Sequence, residues 1–155
     1  MDKLRKLPGT RDLDERYWLE LKKSQDLLIC LFSRWGYQAI DTSLVEPTEL
    51  FVRKGGGELA GQMYSFVDPG GNEISLRPEF TSSIMRYCIE NALSLAFPWR
   101  AQYSGPVFRY GGPGQGYRQF NQSGVELVGA SSPLADVEVL ALACYGLASM
   151  GVNGS

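Results

Sequence analysis

Arg118-Gln119-Phe120-Asn121-Gln122-Ser123-Gly124-Val125-Glu126-Leu127-Val128 decides how the rest of the chain is read. Successive side chains of a strand point to opposite faces. Counting from Phe120, one face carries Phe120, Gln122, Gly124, Glu126 and Val128, and the other carries Asn121, Ser123, Val125 and Leu127. Val125 and Leu127 suit a core. The opposite face holds a ring, an amide and a carboxylate, with Gly124 leaving room between them. An unpaired carboxylate taken out of water costs on the order of several kcal/mol. That face is therefore either open to solvent or satisfied by a ligand, and alternation alone leaves both open.

Upstream, 100–110 reads as the partner strand, and the loop between them contains Gly111-Gly112-Pro113-Gly114-Gln115-Gly116. Arg109 ends the first strand and Arg118 begins the return. Two guanidinium groups at a hairpin mouth present forked donors that match phosphate oxygens. The glycines let backbone approach a ligand closely, but the loop is neither a P-loop nor a GxGxxG leading into a helix, which disfavours those nucleotide folds.

A second hairpin joins 63–67 to 74–77 across Asp68-Pro69-Gly70-Gly71-Asn72. It leads into Leu76-Arg77-Pro78-Glu79-Phe80-Thr81, a strand end entering a helix. There Thr81 is a capping residue and Glu79 favours the helix dipole, or else the acid and hydroxyl await a ligand amine.

Helices are expected over 15–35, with Trp18, Leu21, Leu28 and Phe32 on one face and Gly36 as the stop, and over 81–95. A short helical piece over 47–53 runs into a flexible Lys54-Gly55-Gly56-Gly57. The last helix, 133–150, is expected to bury Val137, Leu140, Ala141, Cys144, Leu147 and Ala148. A strand over 37–43 completes the reading. The fold class is α+β: an antiparallel sheet carrying both hairpins, flanked by helices, in one domain over 1–155.

Composition narrows the chemistry. The 15 basic and 17 acidic residues leave a formal charge of −2, so no global basic field holds a nucleic acid. There is no histidine, which removes Ser-His-Asp and Cys-His catalysis. Cys30, Cys88 and Cys144 lack metal or disulfide spacing and read as buried thiols in a reducing compartment. No metal site held by side chains is expected. No membrane-length apolar run or signal segment is visible, so a cytoplasmic protein is expected.

Taken in order, these pieces resemble the histidyl-tRNA synthetase family, the class II aminoacyl-tRNA synthetases of histidyl type. Leu7-Pro8-Gly9-Thr10-Arg11-Asp12 is similar to the family's opening, and Glu46-Pro47-Thr48-Glu49-Leu50-Phe51 to its first motif, which serves the dimer interface. Met63-Tyr64-Ser65-Phe66 and Leu76-Arg77-Pro78-Glu79-Phe80-Thr81 follow. Phe108-Arg109-Tyr110, Tyr117-Arg118-Gln119-Phe120-Asn121-Gln122 and Gly124-Val125-Glu126 resemble the second motif and the strand after it. The resemblance covers nearly the whole chain.

It implies a class II catalytic core that stops before the third motif and before the anticodon-binding domain. Arg109 would be the catalytic residue, on the ATP α-phosphate. Phe120 would stack on adenine, with Arg118 also on the nucleotide. Glu79, Thr81, Gln122 and Glu126 would surround histidine, with Mg²⁺ accompanying ATP. The full-length protein would be a homodimeric ligase for tRNA, and this stretch alone would be inactive. Departures appear at Gly111-Gly112 and Gly116-Tyr117, where the family carries Glu-Arg and Gly-Arg, and at Phe80, where it has glycine. They keep open a paralogue that binds histidine without charging tRNA: the regulatory subunit of ATP phosphoribosyltransferase, partnered by that enzyme's catalytic subunit.

Overall fold

The computed structural model describes residues 4–111 and 116–152. The expectations placed on Gly112, Pro113, Gly114 and Gln115 lie outside the described residues. In chain order the elements are α1 (Glu15–Arg34), β1 (Gln38–Ala39), β2 (Val45–Pro47), α2 (Thr48–Ala60), β3 (Ser65–Val67), β4 (Glu73–Leu76), α3 (Thr81–Glu90), β5 (Trp99–Phe108), β6 (Gln119–Val128) and α4 (Pro133–Ser149). The class is α+β, as expected.

The strands form two sheets, β1-β5-β6 and β2-β4-β3, so the two hairpins do not share one. In the smaller hairpin Phe66 pairs with Ile74, antiparallel, and β2 joins β4 with Val45 opposite Leu76. Asp68 holds the turn: it accepts the Asn72 N–H at 2.8 Å, and its carbonyl accepts Gly71 N–H at 2.9 Å. In the larger hairpin Arg109 N–H donates to the Arg118 carbonyl at 2.9 Å, and the Ser104 and Ser123 hydroxyls meet at 2.7 Å. These pairs step in opposite senses, as an antiparallel ladder requires. One pair departs from the all-antiparallel expectation: β1 runs parallel to β5, Gln38 against Ala101. β1 belongs to neither hairpin, so no tight turn dictates its direction.

The chain divides into two units. One comprises 1–13, 42–86 and 105–122; the other comprises 14–41, 87–104 and 123–155.

In the second unit, the Asp14 carboxylate caps α1 by accepting Tyr17 N–H at 3.0 Å. Gly36, at φ +82°, ends it. Gly36 N–H donates to the Ser33 carbonyl and Tyr37 N–H to Phe32's, the paired bonds of a Schellman stop. The stop also delivers Tyr37 onto Phe32. With Leu142 they form the buried cluster on which Leu28, Leu31 and Val125 pack. Trp18, expected on this face, stays 52% exposed. α4 buries the line through Leu142 and Gly146. Val137, Leu140, Cys144 and Leu147, expected inside, are exposed. The helix is apolar on nearly every side, so periodicity could not select the inner face. For the same reason Cys144 is not a buried thiol. Cys30 is exposed too, and Cys88 is buried.

In the first unit, Phe51, Phe80, Ile84 and Val107 are buried, each worth about 1.5–3 kcal/mol of apolar transfer. Arg77 is buried among them. Its Nη1 donates to the Thr42 carbonyl at 2.7 Å and its Nε to that of Pro106 at 3.0 Å. The guanidinium lies 3.9 Å from the Phe80 ring centroid. Glu46 is also buried, in a forked pair with Arg86 at 3.0 and 2.6 Å. α2 continues to Ala60 through the stretch expected to be flexible. No proline interrupts it, and glycine costs a helix only about 1 kcal/mol per residue. α3 stops at Glu90 rather than 95, where the Asn91 side-chain amide donates to the Tyr87 carbonyl at 2.9 Å.

Candidate nucleotide and amino-acid site

Within the first unit, a cavity of about 470 Å³ is lined by Gln62, Arg109, Tyr110, Gly111, Tyr117 and Phe120. Hairpin geometry builds it. Arg109 and Arg118 face each other across the last described rung, and Phe120 follows two residues along the return strand. The Arg109 guanidinium carbon lies 5.3 Å from the Phe120 centroid, within reach of a cation–π contact. Arg109 Nε donates to the Pro78 carbonyl at 2.9 Å. That bond fixes the fork and leaves Nη1 and Nη2 as the donors suited to a phosphate. Arg118 stacks on Tyr110 at 4.5 Å, and Tyr110 N–H is anchored on the Gln62 carbonyl at 2.7 Å. Arg109, Phe120 and Arg118 are thus brought together as their positions suggested.

The Arg109–Pro78 bond places Arg109 one residue from Glu79. Glu79 Oε1 accepts Ser82 N–H at 3.0 Å, so Glu79 caps the first turn of α3. One carboxylate oxygen is thereby oriented by the helix end, in the positive field of its dipole. Thr81 opens the helix. Gln122 carries the most pointed signal: its Oε1 is buried and has no hydrogen-bond partner. Such an acceptor costs about 1–3 kcal/mol until a donor arrives. Glu126 stands four residues further along β6, in the second unit.

One sequence inference is corrected here. Gly124 does not leave room for a ligand: a Cβ there would lie 2.6 Å from the Tyr103 hydroxyl, so Tyr103 fills that space. Phe80 is fully buried, with the Arg77 guanidinium over its ring. Sequence reasoning missed Gln62, Tyr110 and Tyr117. The tyrosines flank the two arginines and could have been found by proximity, whereas nothing in its neighbourhood marks Gln62. Among the described residues no group of three His, Cys, Asp or Glu could hold a metal ion, and no helix is long and apolar enough to cross a membrane.

A profile of the family described as histidyl-tRNA synthetase matches residues 9–155. A histidine–tRNA ligase of Methanocaldococcus jannaschii is 40% identical over 146 residues, covering 94% of this chain and 35% of that protein. One from Thermosipho melanesiensis is 41% identical, covering 96% and 36%. Among solved structures, one described as an ATP phosphoribosyltransferase regulatory subunit/histidyl-tRNA synthetase from Bacillus halodurans superposes with a TM-score of 0.87 at 31% identity, covering 96% of this chain and 38% of that one. The apo histidyl-tRNA synthetase of S. aureus gives 0.80 at 36%, covering 94% and 35%. The chain thus spans little more than a third of the length of the proteins it matches.

Proposed function

The chain belongs to the histidyl-tRNA synthetase family, and from that premise we propose that it forms the part of a histidine-activating catalytic domain that grips ATP and the amino acid. The observation that carries this is the cavity in which a guanidinium, Arg109, and a stacking ring, Phe120, share one wall. Phe120 takes adenine on its face. Arg109 stabilises the charge that builds on the α-phosphate as a histidine carboxylate oxygen attacks and pyrophosphate leaves. Arg118 adds a second cation on the nucleotide. Glu79 receives the histidine ammonium, with Thr81 and Gln122 as hydrogen-bonding partners; the Gln122 acceptor gains the donor it lacks. Rate enhancement comes from positioning and charge, with no protein nucleophile. Mg²⁺, which neutralises phosphate charge, finds no carboxylate among the described residues lining this cavity.

The test is a titration with Mg-ATP. Affinity is expected to be weak, because the loop lacks the family's Glu-Arg and Gly-Arg contacts, and to disappear in Arg109→Ala and Phe120→Ala. Equal affinity in both variants and the parent would overturn the placement.

Those same loop glycines, with the Bacillus halodurans neighbour, favour one second reading: a histidine-binding regulatory subunit whose partner is the catalytic subunit of ATP phosphoribosyltransferase. Histidine-dependent ATP–pyrophosphate exchange by the full-length protein separates the two, since the regulator binds histidine without exchange. The synthetase reading also carries tRNA as partner, a homodimer and a cytoplasmic location. Glu46 and Phe51 are buried within this unit, so a dimer contact near them falls to the exposed Leu44, Val45 and Val52. A sedimentation coefficient of a monomer at high concentration in the full-length protein would refute the dimer.

A further inference from the structure

The turn Leu7–Arg11 takes no part in the chemistry above, yet three contacts tie it to the cavity. Arg118 N–H donates to the Gly9 carbonyl at 2.7 Å. Gly9 sits at φ +77°, and a Cβ there would lie 3.0 Å from Arg118 Cγ and 3.2 Å from Arg118 Nε. The Arg11 guanidinium lies 4.1 Å from the centroid of Tyr117, which lines the cavity. The turn is itself closed, with Thr10 N–H and hydroxyl both donating to the Leu7 carbonyl at 3.1 and 2.7 Å. Arg118 Nε is buried without a hydrogen-bond partner, so its place is set by packing against Gly9 and the Tyr110 ring.

We propose that Leu7–Arg11 is a positioning element of the nucleotide site, with Gly9 and Arg11 as positioning residues that set where Arg118 and Tyr117 stand. The proposal rests on reading the cavity as the nucleotide site, and its test separates the two. Amide NMR spectra of the chain are recorded during Mg-ATP titration for the parent, Gly9→Ala, Arg11→Ala, Arg11→Lys and Phe120→Ala. Arg11→Ala is expected to move the Tyr117 and Arg118 resonances and to weaken Mg-ATP by about 2- to 5-fold, the worth of one exposed cation–π contact. Its urea midpoint should stay at the parent value. Arg11→Lys should restore most of the affinity, because an ammonium over the ring keeps the attraction. Gly9→Ala should speed exchange of the Arg118 amide proton, since a left-handed φ strains any side chain. If Phe120→Ala leaves Mg-ATP affinity untouched, the cavity is not the adenine site, and the turn is judged on the Arg118 amide alone. Unaltered shift and exchange of that amide in both Gly9→Ala and Arg11→Ala would overturn the proposal.

Discussion

Single residues show where alternation suffices and where it fails. That Arg109 and Phe120 would share one wall was legible, because a hairpin mouth and a strand face are local properties. The tenant of the space at Gly124 was not, because Tyr103 arrives from the facing strand and its register is not written in β6. Gly124→Ala should therefore cost about 1–3 kcal/mol through overpacking. Adding Tyr103→Leu should recover most of it in urea unfolding, and a parent-like midpoint for the single variant would contradict the packing. Gln122 makes the opposite case. Gln122→Leu removes an unpaired buried acceptor, so the ligand-free chain should be as stable as the parent or more so. Histidine binding should weaken by about 1–2 kcal/mol. Thermal melts with and without histidine measure both, and a loss of stability without ligand would show that Oε1 has a partner. Glu79 was read as a dipole partner or a site residue, and it also caps, by accepting Ser82 N–H.

Secondary-structure elements were located well from their stops, and their faces less well. Gly36 and Asp14 are chemical punctuation and place α1 to within a residue. α4 has no such asymmetry around its axis. Leu142→Ala should cost about 2–5 kcal/mol, against about 0.5 kcal/mol or less for Leu140→Ala, and equal losses in urea unfolding would restore the original choice of face. α4 is fastened to β5 by Glu138, which accepts Arg100 Nε and Nη2 at 2.7 and 2.8 Å and the Tyr37 hydroxyl at 2.9 Å. The Arg100 hydrogen bonds, with that of Tyr37, hold the Glu138 carboxyl below its usual 4.5 against the opposing effect of burial. A depressed carboxyl stabilises the fold above its unfolded value and loses that contribution as pH falls through the folded one. Glu138→Gln should thus flatten the acid limb of stability below about pH 4.5, by about 1 kcal/mol for a partly exposed pair. Burial, then Glu138, raises the Tyr37 phenol, so its contribution holds below the ordinary value near 10.0 and fades above it. An unchanged acid limb in Glu138→Gln would remove the ion pair from the account.

For the molecule as a whole, the α+β class was readable because both hairpins are encoded by their own turns. The partition into two sheets was not, since β1 finds β5 across a long stretch of intervening chain, and only tertiary packing chooses that partner. Nor was the division into two units, each gathered from three separate segments. The interleaving bears on how the chain can be made. The first unit needs residues up to 122, the second holds its opening helix waiting for strand and helix beyond 123, and neither can be finished early at the ribosome. A protease nick anywhere from 14 to 122 interrupts both units at once. Trimming either end never isolates one of them: the shortest stretch holding the whole first unit is 1–122 and that for the second is 14–155, and each carries broken segments of the other.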